Sequence, residues 1–200
     1  FTQRVFDALK DRGVTLEELT LHVGAGTFKP VSAETLIGHE MHSEWFSVSK
    51  KTILKLRNRE YNRLIVAGTT SLRTIESLYG LGAQLIRGSA SDEMLSLTQW
   101  EMYDEEQHAP TLTEALDALL NYLDRRNLEF LHASSALLIA PAFQIRLAEA
   151  IITNFHQPKS TLLVLVSAFI GDDWRKVYEH AMEHDYRFLS YGDSSLLWRK

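Results

Sequence analysis

The sequence predicts an α/β fold: a three-layer α/β/α sandwich around a mixed or parallel sheet. Three observations predict it. Short apolar runs of strand length, such as RLIVA at 63–67, interleave with segments whose apolar residues return at helical spacing. Polar clusters follow the strands, where open α/β sheets bind ligands. The chain has 200 residues, 45% of them hydrophobic and 24% charged, enough to bury a core as one domain over 1–200.

The elements follow in order. Val5, Phe6 and Leu9 mark a short amphipathic helix over 2–12, stopped by Gly13. LTLHV at 19–23 alternates as a strand and runs into Gly24-Ala25-Gly26. Ser49 caps a helix reaching about Glu60. RLIVA then reads as a strand buried on both faces of a sheet. Gly68-Thr69-Thr70-Ser71 leads to a helix carrying Leu72, Ile75, Leu78 and Tyr79. The stretch from Gly82 to Pro110 is acidic and irregular. Thr111 and Glu114 form a capping box for a helix to Arg126. Strands are expected over 136–139 and 143–152, the first closed by Pro141. Ser160 or Lys159 opens a buried apolar helix, Asp172 to His184 forms the last one, and 186–197 is a terminal strand or extended tail.

Composition narrows the function classes. With no cysteine there is no disulfide framework, thiolate metal site or cysteine nucleophile, and a reducing cytoplasmic setting fits. The longest apolar stretch, TLLVLVSAFI, is too short to cross a bilayer, so a soluble chain without a membrane partner is expected. The net charge of −5 is unevenly spread: 88–124 holds nine acidic residues and no Lys or Arg, leaving 21 basic against 17 acidic residues elsewhere. The most basic window, Lys50 to Arg63, is either a solvated helix face or a phosphate-contacting patch.

Four clusters and a tail carry candidate chemistry. His22 with Gly24 and Gly26 sets amides after a strand, as a structural turn or as a contact for an anionic or carbonyl group. His39, Glu40, His42 and Glu44 suggest a metal site, acid/base work by His42 and Glu44, or a surface turn; the third metal ligand is not evident, so no metal is expected. Thr69, Thr70, Ser71 and Arg73 at a helix start suit a carboxylate or phosphate, beyond what one N-cap needs. Asn154, His156, Lys159 and Ser160 lie between strongly apolar segments, where unpaired polar groups would be costly. In the tail, Tyr186, Arg187, Tyr191 and Asp193 either stack a base or finish the core.

Taken in order, LHVGAGTF (21–28), HEMHSE (39–44), VAGTTSLRTIES (66–77), ITNFHQPKSTLLVLVSAF (152–169) and YRFLSYGD (186–193) closely resemble the S-adenosylmethionine:tRNA ribosyltransferase-isomerase (QueA) family. The resemblance corresponds to the C-terminal half or so of a family member. It implies that an upstream APTAGLH segment and a small β-barrel domain lie outside this chain, which begins at Phe1. It also implies transfer of the ribosyl part of S-adenosylmethionine, a co-substrate, to the aminomethyl group of a 7-deazaguanine in a GUN-type tRNA anticodon. Adenine and methionine leave, and epoxyqueuosine forms in the tRNA. On that reading His42, Glu44 and His156 are acid/base candidates. Thr69, Thr70, Ser71 and Arg73 hold a carboxylate or phosphate, and Lys159 and Ser160 meet a second anion. Tyr186 and Tyr191 stack a base, and Asp193 reads its edge or binds ribose hydroxyls.

The chain departs from the resemblance at two runs. Ala140-Pro141-Ala142-Phe143 stands where YPGY is expected, and Leu147-Ala148-Glu149-Ala150 where VVDG is, losing two glycines and exchanging Asp for Glu149. If those glycines let a substrate approach closely, the methyl groups of Ala142 and Ala150 obstruct it. A noncatalytic RNA-binding paralogue and an S-adenosylmethionine-dependent transferase acting on a small molecule are therefore the alternative functions. The sequence leaves the oligomeric state open.

Overall fold

A computed structural model describes residues 1–24, 36–90, 94–103 and 109–200. Among the described residues the elements run α1 (Gln3–Asp11), β1 (Thr20–His22), β2 (Glu44–Ser49), α2 (Lys50–Asn58), β3 (Ile65–Ala67), α3 (Thr69–Arg87), β4 (Leu95–Leu97), a 3₁₀ turn (Glu101–Tyr103), α4 (Leu112–Arg125), β5 (Phe130–Ser135), β6 (Ala150–Asn154), α5 (Thr161–Ile170), α6 (Asp173–Glu183) and β7 (Ser194–Trp198). The α/β class holds, with the strands shared between two open mixed sheets. Sheet one has the order β1-β2-β5-β4, with β4 and β5 parallel and the other pairs antiparallel. Sheet two has the order β3-β6-β7, with β3 and β6 parallel and β6 and β7 antiparallel.

The centre of the molecule is α3. Thirteen consecutive residues, Leu72 to Gln84, are buried, so this helix is covered all round, unlike a surface helix with one apolar stripe. It packs against strands of both sheets and along α4. The approach to α4 is close enough to demand glycine: a Cβ on Gly82 would lie 2.1 Å from the carbonyl oxygen of Ala115. The α4 helix begins with the expected capping box, Thr111 accepting from the Glu114 amide and Glu114 accepting from the Thr111 amide. Ser49 and Ser160 cap α2 and α5 through their hydroxyls.

Three expectations are corrected. The segment after Gly82 is not irregular throughout: α3 continues to Arg87, and Leu95–Leu97 forms a buried strand beside β5. Strands do not form over 136–139 or the first half of 143–152. The strands are Phe130–Ser135 and Ala150–Asn154. Between them Leu137, Leu138, Ile139 and Ala140 are buried without strand partners. Part of their polar backbone is met by Tyr103, whose hydroxyl donates to Leu138 O at 2.8 Å and accepts from the Ala140 amide at 2.7 Å, and part by Ser135 and Gln99, which accept from the Leu137 and Leu138 amides. Finally, RLIVA is covered on one face only, for Val66 is buried while Ile65 is 43% exposed.

The basic window resolves largely into surface ion pairs. Lys50 meets Asp124, Lys55 meets Glu17, Arg57 meets Asp117 and Arg63 meets Glu149. Such exposed pairs add little stability, but they spend charge that a phosphate contact would need.

Candidate functional site

Strand direction brings the polar clusters to one end of the molecule. In sheet two, β3 and β6 end there, at Ala67 and Asn154, and antiparallel β7 starts there at Ser194. In sheet one, β1 ends and β2 starts together, with His22 opposite Trp45, and β5 ends beside them, Ser135 opposite Glu44. The first turns of α3 join the two ends. The Gly68 amide, at φ 94°, donates to Ile152 O at 2.9 Å, tying the helix start to β6.

Five residues after Gly68, Arg73 reaches the other way. Its Nε donates to Leu137 O at 3.0 Å, one terminal nitrogen to Glu44 Oε2 at 3.2 Å and the other to Ser135 O at 3.4 Å. Arg73 and Glu44 are 5% and 6% exposed. Burial lowers the guanidinium pKa, and the Glu44 carboxylate opposes that shift. The pair is a brace between α3 and sheet one, with the guanidinium occupied inside the protein and Glu44 held beneath the surface. Thr69, Thr70 and Ser71 remain half-buried at the start of α3, where Gly68 supplies no side-chain cap for the first amides.

At the end of β6, the tail loop folds back onto the strand. Asn154 donates to the carbonyls of Gly192 and Asp193 at 3.4 and 3.3 Å, and the Leu189 amide donates to Phe155 O at 2.9 Å. Only glycine fits at 192, since a Cβ would lie 2.3 Å from Arg187 O. Asp193 accepts from the Arg187 amide at 2.8 Å and its guanidinium at 3.3 Å, contacts that hold its pKa below the usual carboxylate value. Tyr191 is 99% exposed, whereas Tyr186 packs edge-on against Phe155 at 5.5 Å between ring centres.

His156 is buried beside this loop. Its Nε2 is 2.8 Å from Thr153 Oγ1, and its amide donates to the Tyr178 hydroxyl at 2.9 Å. Burial pushes the imidazole pKa down to about 4, so His156 is neutral near pH 7. His42 is exposed two residues before β2, and His22 and Gly24 are exposed at the end of β1. His39 and His42 lie in a non-helical stretch, so they do not share a helix face. Gly26 lies outside the described residues. Lys159 is exposed at φ 58°, and the Ser160 hydroxyl is engaged at both sides, accepting from Leu163 N and donating to Gln157 O.

The end therefore gathers hydroxyls and helix-start amides, an exposed and a buried imidazole, and the Asp193 carboxylate. These can hold an anion and donate or accept hydrogen bonds at a sugar or base. Among the described residues no group of three His, Asp or Glu is placed to hold a metal ion, and no helix is long and apolar enough to cross a membrane. Two hollows lie elsewhere: one of about 430 Å³ along α1, and one of about 270 Å³ between α3, the 3₁₀ turn and Ala142–Arg146. Ala142 lines the second, and Ala150 stands at the opposite end of β6 from Asn154, about 13 Å away at strand spacing.

Sequence reasoning missed Glu76. It is fully buried in α3 and receives the consecutive amides of Arg146, Leu147 and Ala148 at 2.8, 2.9 and 3.0 Å. Burial raises its pKa and the three amides oppose the shift. Its signal was a carboxylate within an apolar helical stripe. Gly192 was missed as well, its signal being a lone glycine between Tyr191 and Asp193.

Comparison with known proteins identifies the relatives of this chain. The family model described as queuosine biosynthesis protein matches residues 1–197. The S-adenosylmethionine:tRNA ribosyltransferase-isomerase of Bradyrhizobium diazoefficiens is 37% identical over all of this chain and 43% of its own length. That of Ruegeria sp. is 38% identical over 98% of this chain and 45% of its own length. The crystal structure of the S-adenosylmethionine tRNA ribosyltransferase from Thermotoga maritima superposes with a TM-score of 0.61 at 31% identity, covering 98% of this chain and 49% of that one. The chain thus spans less than half the length of these curated relatives, and by sequence and by fold it belongs to the queuosine biosynthesis protein family.

Proposed function

We propose that this chain is one α/β domain of a larger transferase-isomerase that moves the ribosyl part of S-adenosylmethionine onto tRNA in queuosine biosynthesis. The carrying observation is that hydrogen bonds link four of the five sequence blocks, Arg73 to Glu44, Gly68 to Ile152 and Asn154 to Gly192, while of the first block the described residues 21–24 run beside β2. The relatives' names supply the donor and the acceptor. The acceptor on this reading is the aminomethyl-deazaguanine of a GUN anticodon, and the reaction runs in the cytoplasm without a metal.

The reaction needs a base for a proton beside the sulfonium, a hydrogen bond for departing adenine, and an anchor for the methionine carboxylate. His42, exposed and free of helical constraint, suits the base. Neutral His156 suits a hydrogen bond to a leaving heterocycle better than delivery of a full proton, given its low pKa. The half-buried hydroxyls of Thr69, Thr70 and Ser71, with the helix-start amides, suit a carboxylate, and Lys159 suits a phosphate of the RNA. Tyr191 is free to stack on a base, with Asp193 and Arg187 beside it. Glu44 and Arg73 serve by bracing the sheet ends rather than by touching substrate, and Ser160 and Asn154 by fixing their loops.

The test incubates the chain, alone and joined to the family's remaining half, with precursor-bearing tRNA and labelled S-adenosylmethionine, and measures released adenine. Release by the joined protein that falls at least tenfold in His42→Ala supports the reading; salt-sensitive tRNA binding with no adenine release selects the noncatalytic alternative.

A further inference from the structure

Sheet two presents a bare apolar face. By register, Val66, Ile151 and Leu197 point into the core and are buried. The alternate positions Ile65, Ala67, Ala150, Ile152, Leu196 and Trp198 form the other side, the small Ala150 lying buried between its larger neighbours Ile65 and Trp198. Ile65, Leu196 and Trp198 are 43%, 50% and 46% exposed. Each of the six is apolar, and the rim is closed at one corner by Arg63, which lies over the Trp198 ring at 5.1 Å and pairs with Glu149. Strands paired in parallel are found covered on both faces, because their sequences are apolar on both. RLIVA has that composition, yet here it is covered on one side. The outer edge of β3 is also without a strand partner among the described residues.

We infer that this face is the seat of the half of the family polypeptide that lies outside the region matched by this chain. The relatives are more than twice the matched length, so each carries enough additional chain to cover a three-stranded face. The face is continuous with the candidate site: Asn154 and Ser194 occupy its outer row at the convergent end. A covering segment therefore also walls the site on the sheet-two side. The occupant presents an apolar surface to Ile65, Leu196 and Trp198. This inference rests on family membership and on the chemistry of the face, not on the transfer reaction.

The chain has no cysteine, which makes single-thiol labelling direct. Leu196→Cys and, separately, Ile65→Cys are reacted with fluorescein maleimide in the chain alone and in a cysteine-free polypeptide joining it to the unmatched half of the Ruegeria relative. Leu197→Cys, facing the core, stays slow in both and reports that sheet two is folded. The expected result is at least a tenfold fall in rate at both outer positions on joining. An unchanged rate overturns the inference. So does protection in the chain alone that grows with protein concentration, which would make a second copy the occupant, or protection produced only by added tRNA. A joined protein that protects both thiols but releases no adenine upholds this inference while refuting the proposed activity.

Discussion

The outer faces of the two sheets differ in chemistry, and the difference separates a finished surface from an unfinished one. Sheet one turns outward Thr20 and His22 from β1, Trp45, Ser47 and Ser49 from β2, Phe130, His132 and Ser134 from β5, and Ser96 from β4. Polar groups outnumber apolar ones there, and Ser134 bonds Ser96 across the strands at 3.0 Å. A mainly antiparallel sheet with such alternation can face water. Sheet two turns outward mainly apolar side chains, with Asn154 and Ser194 at the convergent end, and its β3–β6 pair is parallel. Both sheets bury their inner faces against the same core around α3. What distinguishes them is the side away from the core, and only sheet one is built there for solvent.

The largest expected effect comes from breaking the junction the sheets share. Arg73→Ala removes the guanidinium paired with buried Glu44 and the donor to two carbonyls, and should cost about 3–5 kcal/mol in urea unfolding. A loss under 1 kcal/mol would show that the brace does not hold α3 to sheet one.

Next in size is a pH effect at sheet two. His156 sits at about 4 in the folded protein against an ordinary 6.5. The unfolded chain therefore takes up a proton that the folded one refuses as pH falls from 6.5 to 4, and stability drops by about 3 kcal/mol across that window. Above pH 6.5 this group contributes no slope. His156→Gln should flatten the profile between those limits; an unaltered slope would assign it to other groups.

A smaller change is expected from Ala142→Gly. Ala142 holds φ 80°, a left-handed value that a Cβ disfavours, and glycine there should raise stability by about 1 kcal/mol. The resemblance expects glycine at this position, and the backbone has kept the shape that glycine would suit. Thermal unfolding checks it, and a lower Tm would mean that the freedom glycine adds to the unfolded chain outweighs the relieved strain.

The smallest effect sharpens the comparison of faces. Leu196→Thr in the chain alone should change stability by no more than about 0.5 kcal/mol, because half of that side chain is already in water, and should reduce binding of a hydrophobic dye. Ser47→Thr on sheet one should leave dye binding as it was. Equal dye responses would erase the distinction between the faces.

Much of the site was legible along the chain because its parts are local. A polar turn after a strand, as in Gly68 to Ser71, is a neighbourhood of a few residues, and so is the run from Thr153 to His156. The roles within it were less legible. Arg73 reads as an anion anchor when only its neighbours are known, because its partners lie 29, 62 and 64 positions away. Ser160 reads as a second anchor until the Leu163 amide and Gln157 carbonyl are seen to occupy its hydroxyl. The strands at 44–49 and 130–135 escaped notice because their alternation includes Glu44 and Ser135, polar residues that are buried once Arg73 and Ser77 reach them.

Short-range physics wrote the helices into the sequence: caps at Ser49, Thr111 and Ser160, stops at Gly13 and Gly88, and apolar spacing between them, each acting over a turn or two of backbone. The five blocks that mark the family were written there too. Tertiary structure alone decided which strands joined which sheet, which charges were buried together, and which apolar face was left open. Those outcomes depend on partners far away along the chain, and the outer face of sheet two is left uncovered among the described residues because no neighbouring element of its own sequence is laid over it.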